Sequence, residues 1–379
     1  MTRYTLAATA SFGLETVVRG ELEALGIKGA RTEDRQVLFE GTAEDAARCN
    51  IRLRAADRVL IRLAEFPVGD FDQLYEGVRA VRWRDLLGRS PAVVVEARSA
   101  KSKISSVPAI QSVSKKAIVD GLSQGTAGGR LAETGPRCTV EVALRGGSAA
   151  VCLDTSGPGL HKRGYRAARG EAPMRENLAA AIVLISRWDP ARPFADPVCG
   201  SGTIPIEAAL IAANIAPGIF RHFAAEGWPL FPPAVWQRAR EEARSAERRD
   251  AACSIEASDR DPGMVEAARS NAERAGVGAM IRFRAVELAR FQARGQYGCM
   301  IANPPYGERL GEEREVAALY REMGALVAQL DTWSLFVLTA HPGFEKFFGA
   351  RATKNRKLYN GNLRCWLYQY FGPLPPSPR

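Results

Sequence analysis

The chain contains no run of 18 or more apolar residues, so no transmembrane helix is expected. Its seven cysteines, at 49, 138, 152, 199, 253, 299 and 365, form no C-x-x-C pair and have no nearby histidine partner. That scatter argues against a zinc site and against a disulfide framework. Most of the thiols are expected to be small buried residues in a reducing cytosol, which implies a cytoplasmic protein without a bound metal. The N-terminal "MTRYTLAATASFGLE" lacks a sustained apolar segment and reads as a strand entering a fold, not as a signal peptide. Internal repeats and low-complexity tracts are also missing.

What is present is an ordinary globular composition, with 46% hydrophobic and 25% charged residues. At 379 residues the chain is expected to form two or three domains with a core large enough to need no staple. The 52 Lys and Arg outnumber the 42 Asp and Glu, for a formal net charge of +10. Residues 1–165 carry 24 basic and 19 acidic side chains, so the excess divides evenly between the halves. A mildly basic balance spread over the chain suits a polyanionic partner.

Residues 1–53 alternate strand-like runs ("RYTLAAT", "RQVLFEG") with helix-like ones ("LETVVRGELEALG", "AEDAARCNIRL"), the pattern of a compact α+β module. Residues 54–160 repeat it in longer units. "DRVLIRLAEF" and "AVVVEARSA" read as strands, "QLYEGVRAVRWRDLL" and "SVPAIQSVSKKAIVDGL" as helices, and "RCTVEVALRGGSAAVCLDTS" as a hairpin turning at Gly146-Gly147. Before and within the second helix lie Arg98, Lys101, Lys103, Lys115 and Lys116 among small hydroxyl residues, a chemistry suited to phosphates. Residues 161–175 are rich in Gly and Arg and read as a linker. From 176 to 379 strands alternate with helices, which predicts a parallel doubly wound sheet closed by a terminal hairpin at Asn360-Gly361.

Two stretches in this region carry chemistry. In "PFADPVCGSGTIPIEAALIAANI" a short strand ends at Asp196, and a turn with Gly200 and Gly202 leads into a helix after Thr203. Glycines there let the backbone approach a ligand, while the helix start offers unpaired N–H groups. In "CSIEASDRDPGMVEAARSNAERAG" Asp259 lies at a strand's carboxyl edge, where it can accept two ribose hydroxyls; Asp261 before Pro262 is placed to cap the helix. A third strand, "MIRFRAVEL", is expected to end near Glu287.

The fourth, "CMIANPP", would place Asn303 over the same crevice, with Pro304 and Pro305 stiffening the backbone and Tyr306 beside them.

The string D-P-V-C-G-S-G-T resembles motif I of class I S-adenosylmethionine-dependent methyltransferases, and N-P-P-Y resembles the [DNS]-P-P-[YFW] motif of enzymes that methylate exocyclic amines. That resemblance implies a Rossmann-like α/β domain with a seven-stranded sheet and a cofactor site made of Asp196, Val198, Gly200, Gly202, Thr203, Asp259, Arg260, Glu287 and Asn303. Catalysis would fall to Asn303, Pro304, Pro305 and Tyr306. An aryl amine is a weak nucleophile because its lone pair is delocalised, so the Asn303 oxygen and the Pro304 carbonyl would accept its two N–H bonds and favour a pyramidal nitrogen, while Tyr306 would stack on the extruded base. Glu287 stands where the pattern usually has Asp.

N-P-P-Y alone fits adenine N6, cytosine N4, guanine N2 or glutamine. Residues 54–160 resemble a THUMP RNA-binding domain, and 1–53 the ferredoxin-like segment that precedes it. "HKRGYR", "APMRENLAAAI", "GTIPIEAA", "EGWPLF", "NPPYGERLG" and "KLYNGNL" are similar to bacterial THUMP-containing RNA guanine-N2 methyltransferases. The resemblance implies methyl transfer to a guanine N2 in 23S rRNA, with tRNA as the alternative target. It also points to Lys101, Lys103, Lys115, Lys116, Lys162, Arg163 and Arg166 as RNA contacts. A reading of another kind is an RNA-binding ribosome-assembly factor with a vestigial methyltransferase fold.

Overall fold

The computed structural model describes residues 2–88, 90–123, 132–166, 174–306 and 313–376. The chain divides into two compact units. One comprises Met1–Ala10, Val18–Leu160 and Gly218–Ser245; the other comprises Ser11–Val17, His161–Pro217 and Ala246–Arg379.

The first part of the chain runs β1 (Tyr4–Thr9), α1 (Glu15–Ala24), β2 (Arg31–Glu33), β3 (Gln36–Gly41), α2 (Ala43–Arg52) and β4 (Arg58–Pro67). It continues with α3 (Phe71–Arg79), α4 (Trp83–Leu87), β5 (Ala92–Ala100), α5 (Val107–Ser123), β6 (Arg137–Arg145) and β7 (Ser148–Asp154). The strands form one sheet in the order β2-β3-β1-β4-β7-β6-β5. Since β1 pairs with β4, the sheet runs straight through the expected boundary at residue 53. Only β5 and β6 are parallel, because α5 carries the chain across between them. Gly146 and Gly147, at φ +58° and +86°, make the β6–β7 turn as read from the sequence.

The stretch "QLYEGVRAVRWRDLL" is two helices, not the single one expected. α3 stops at Ala80, and the chain turns so that the Trp83 indole, 1% exposed, can donate from Nε1 to the Val78 carbonyl at 2.9 Å. The demand of a buried Trp N–H for a partner outweighs helical periodicity here.

The remaining elements are α6 (Glu176–Ser186), β8 (Phe194–Asp196), α7 (Thr203–Ala212), α8 (Pro233–Ser245), β9 (Ile255–Asp259), α9 (Pro262–Arg274), β10 (Ile281–Ala285), β11 (Cys299–Ala302), α10 (Glu313–Val327), β12 (Ser334–Thr339), α11 (Phe344–Phe348), β13 (Lys354–Asn360) and β14 (Leu363–Tyr370). Helix α8 belongs to the first unit and packs there on α2, tied by Arg48 and Arg52 to Glu242 at 2.9 and 3.1 Å and by an Arg238–Glu44 pair.

The second sheet has the order β10-β9-β8-β11-β12-β14-β13. Strands β10, β9, β8, β11 and β12 are parallel, while β14 and β13 close the sheet antiparallel. This is the expected Rossmann-like α/β architecture. Every residue of β11 is buried on both faces, which explains its unbroken apolar run. The order reverses between β8 and β11, so the carboxyl ends of these neighbours border the crevice where such sheets bind ligands.

Six of the seven cysteines are buried, and none is in a disulfide. Burial pushes the Cys152 thiol up to about 11, and those of Cys138 and Cys299 up to about 12, so these behave as small core residues.

Candidate active site

Strand β8 delivers Asp196 to the crevice at 1% exposure, with its Oδ1 accepting the Val198 N–H at 3.2 Å. Burial holds this carboxyl well above the usual carboxylate range, and the nearby Asp259 charge adds to the effect.

The following turn is fixed by backbone bonds from Cys199 N–H to the Ser258 carbonyl at 2.8 Å and from Gly202 N–H to the Cys199 carbonyl at 2.9 Å. Gly202 has φ +83°, and a Cβ there would lie 2.9 Å from the Ala268 side chain on α9. Glycine is therefore required by packing at 202. At Gly200, φ +52°, a Cβ would meet nothing within 4 Å, so the turn presents open backbone on that side. Thr203 then opens α7, whose N-terminus carries no side-chain cap. The free N–H groups of its first turn are left for an acceptor that is not part of the helix.

Asp259 ends β9. Its Oδ2 accepts the Gly200 N–H at 2.9 Å and its Oδ1 accepts the Asp261 N–H at 3.0 Å. Asp261 is the helix cap, accepting from Gly263 N–H at 2.8 Å with Pro262 at the first helical position. Arg260 points outward, 77% exposed, toward Glu315 at 4.0 Å. Strand β10 ends at Ala285, close to the expected Glu287, and the Val286 N–H that follows donates to the Asp259 carbonyl at 3.0 Å. Glu287 is exposed and precedes a short 3-10 turn, Leu288–Arg290.

Asn303 and Pro304 follow β11 directly, half-buried and buried respectively, and Pro305 is exposed. Tyr306 turns back, and its hydroxyl donates to Asn303 Oδ1 at 2.5 Å, with Cys365 Sγ 4.0 Å away. Burial raises the Tyr306 phenol far above its ordinary value, so it stays an O–H donor. The Pro305 carbonyl accepts from Tyr320 Oη at 3.0 Å, a residue that sequence reading did not single out. Residues 307–311, the "GERLG" of the corner motif, lie outside the described residues, as do 167–173 of the linker.

Of the expected RNA contacts, Arg163 is buried and Arg166 half-buried, each against a carboxylate. Arg163 has a side chain only 2% exposed and donates from Nε to Glu207 Oε1 at 3.4 Å; Tyr165 Oη donates to the same oxygen at 3.2 Å. Arg166 donates to Thr203 Oγ1 at 2.6 Å and pairs with Glu176 at 3.5 Å. Their basic charge answers buried carboxylates, which need a partner, so both are corrected to structural contacts of the α6–α7 region. Lys101, Lys103, Lys116 and Lys162 are exposed. Lys115 pairs with Glu133 at 3.0 Å, and the Lys116 ammonium lies 5.8 Å from the Tyr75 ring centroid. An open cleft of about 490 Å³, lined by Arg79, Arg82, Trp83 and Arg84, was not singled out from the sequence either.

Among the described residues no helix is long and apolar enough to cross a membrane, and no cluster of His, Cys, Asp and Glu could hold a metal ion.

Comparison with known proteins places these features in a family. Residues 163–369 match the model described as "RMKL-like, methyltransferase domain", residues 5–60 the "RlmL ferredoxin-like domain", and residues 68–154 the "THUMP domain". A Bacillus subtilis protein named "Putative RNA methyltransferase YpsC" is 44% identical over the whole chain, which covers 98% of it. A "Ribosomal RNA large subunit methyltransferase K/L" from Pseudomonas paraeruginosa is 38% identical over 96% of the chain, which spans only 52% of that protein. Among solved structures, a "predicted N6-adenine-specific DNA methylase" from Listeria monocytogenes superposes with a TM-score of 0.93 at 46% identity, covering 98% of this chain and 97% of that one. "SMU.472, a putative methyltransferase complexed with SAH", superposes with a TM-score of 0.92 at 44% identity, covering 98% and 99%. The chain belongs to the RMKL-like methyltransferase family, with a ferredoxin-like segment and a THUMP domain ahead of its methyltransferase domain.

Proposed function

We propose that this protein transfers a methyl group from S-adenosylmethionine to the exocyclic N2 amino group of a guanine in 23S rRNA. The observation that carries the reading is the placement of Asn303 at the tip of β11, next to the strand whose end bears Asp196 and the Gly200 turn.

The chain's own groups fit the cofactor. The uncapped start of α7 and the open backbone at Gly200 suit the amino-acid end of the ligand, and each oxygen of Asp259 keeps a lone pair for a ribose hydroxyl. Asp196, Val198, Gly202 and Thr203 shape the same wall, with Arg260 and Glu287 at its exposed rim. When bound, S-adenosylmethionine supplies an electrophilic methyl group on a positively charged sulfur.

Asn303 Oδ1 and the Pro304 carbonyl accept the two N–H bonds of the target amine and aim its lone pair. Pro305 holds the corner, and Tyr306 offers its ring to the base. Positioning of this kind needs no strong general base.

The corner by itself suits adenine N6 equally well. What favours RNA is the THUMP match ahead of the methyltransferase domain, together with relatives named for RNA and ribosomal RNA. Guanine N2 comes from the resemblance of the junction and corner motifs. Nucleoside mass spectrometry of rRNA and tRNA from a deletion strain tests the proposal. Loss of N2-methylguanosine from large-subunit rRNA is expected; an intact level there overturns the target, and loss from tRNA instead reassigns it. Calorimetry that detects no cofactor binding would favour the assembly-factor reading.

A further inference from the structure

Tyr320, on α10, has a ring with no exposed surface, packed edge-on against Phe344 at 5.0 Å and His341 at 5.6 Å between centroids. Its hydroxyl lies 3.0 Å from the Pro305 carbonyl and 2.9 Å from Thr339 Oγ1, and Thr339 Oγ1 lies 3.0 Å from the His341 N–H. Counting protons fixes every direction. A phenol has one O–H, and a carbonyl can only accept, so Tyr320 donates to Pro305. Thr339 must then donate to Tyr320, and its own oxygen accepts from His341 N–H. A one-way chain therefore runs from the loop after β12, through Thr339 and Tyr320, to the corner after β11. Burial pushes the Tyr320 phenol up to about 12, so its proton stays in place at working pH.

The end of this chain matters because of what prolines leave free. The rings of Pro304 and Pro305 fix φ at about −65°, and Pro305 restricts ψ of Pro304, but ψ of Pro305 itself is left unset. The orientation of the Pro305 carbonyl is ψ at that residue, and it sets the direction in which Tyr306 departs. Tyr306 must return for its hydroxyl to reach Asn303 Oδ1. The corner is stiff only with its carbonyl held.

We infer that Tyr320 and Thr339 are positioning residues for methyl transfer: they lock the peptide after Pro305 and thereby place Asn303 and Tyr306 around the target amine. The inference rests on the reading of Asn303 as the amine's acceptor.

The test measures turnover on large-subunit rRNA and S-adenosylhomocysteine affinity for Tyr320→Phe, Thr339→Val, Thr339→Ser and the double variant Tyr320→Phe/Thr339→Val. Tyr320→Phe keeps the ring and loses only the hydroxyl. A misplacement on the order of 1 Å lowers rates about 10²-fold, so kcat is expected to fall roughly 10- to 100-fold with cofactor affinity unchanged within about two-fold. Thr339→Val should cost less, and Thr339→Ser should restore turnover. The double variant should match Tyr320→Phe alone, because the bonds act in series. Wild-type kcat in Tyr320→Phe overturns the inference, as do losses that multiply in the double variant. A crystal structure of Tyr320→Phe is read independently of activity: a displaced Pro305–Tyr306 peptide is expected, and an unmoved one overturns the brace. Absence of wild-type turnover on large-subunit rRNA would instead overturn that target, leaving the crystal structure to decide the brace.

Discussion

The Gly200 N–H donates to Asp259 Oδ2 at 2.9 Å, so the carboxylate at the end of β9 holds the glycine turn that follows β8. Its other oxygen accepts the Asp261 N–H at 3.0 Å. One side chain thus holds the turn and, under the proposed function, keeps its remaining lone pairs for a ribose diol. Asp259→Asn replaces one acceptor with a donor that faces a backbone N–H, which costs about 1–3 kcal/mol for the unsatisfied group. The expected result is at least about ten-fold weaker S-adenosylhomocysteine binding by calorimetry, since 1.4 kcal/mol is a factor of ten. Unchanged affinity would remove Asp259 from the site.

Asn303→Ala separates binding from chemistry. Removing the amide deletes the acceptor for the amine and leaves the Gly200–Asp259 wall intact. Methyl transfer should fall below detection, with cofactor affinity held within a few-fold. Tyr306→Phe, which loses the hydroxyl with its bond at 2.5 Å to Asn303 and its contact with Cys365 Sγ, should retain more activity than Tyr306→Ala if the ring supplies the stacking surface. Loss of cofactor binding in Asn303→Ala would mean its role lies on the other side of the crevice.

Asp196 gives a pH signature. Its carboxyl is held above the usual range chiefly by burial, then by the Asp259 charge. A carboxyl whose folded pKa is raised binds more protons folded than unfolded, so it favours folding below its unfolded pKa and loses that contribution as pH rises toward the folded value. The cost of burying the Asp196 carboxyl is therefore greater at neutral pH than in acid. Asp196→Asn should raise Tm relative to wild type, by more at pH 7 than at pH 4, while weakening the cofactor. A Tm difference independent of pH would show that Asp196 is not desolvated as described.

Much of this arrangement was legible in the sequence, for a physical reason. Asp196, Gly200, Gly202, Asp259 and Asn303 sit at strand ends and turns, where residue type reports backbone geometry directly. The parallel sheet follows from unbroken apolar strands alternating with helices. What was not legible is long-range pairing. The Arg163–Glu207 pair joins positions 44 residues apart, and nothing local distinguishes an arginine that meets a buried carboxylate from one that faces solvent. Tyr320 was not legible for the same reason, since its partners Pro305 and Thr339 lie 15 and 19 positions away. The 218–245 excursion and the shared sheet across residue 53 depend on which surfaces meet, not on local pattern.

The Arg163 assignment has a direct check. With side chains 2% and 0% exposed, Arg163 and Glu207 form a buried pair, and Tyr165 shares the same carboxylate oxygen. Removing one member of such a pair costs about 3–5 kcal/mol because a charge is left without its partner. Arg163→Ala should lower Tm sharply, and Arg163→Ala with Glu207→Gln should recover part of the loss. For a surface RNA contact, Tm would stay within a degree and only RNA affinity would change.

Lys101 and Lys103 provide the opposite case. Both are exposed just after β5, and neither has an acidic partner among the described residues. Lys115 already meets Glu133 at 3.0 Å, an exposed pair of the kind worth about 0–1 kcal/mol. If the THUMP domain grips phosphates here, Lys101→Ala with Lys103→Ala should weaken RNA binding across sequences and flatten its salt dependence. Each lost phosphate contact lowers the log–log slope by about 0.7–0.9. Lys115→Ala should change the slope less, because its ammonium is already paired with Glu133. A titration of affinity against salt for the two sets of variants distinguishes them, and an unchanged slope for Lys101→Ala/Lys103→Ala would return both lysines to the solvated surface.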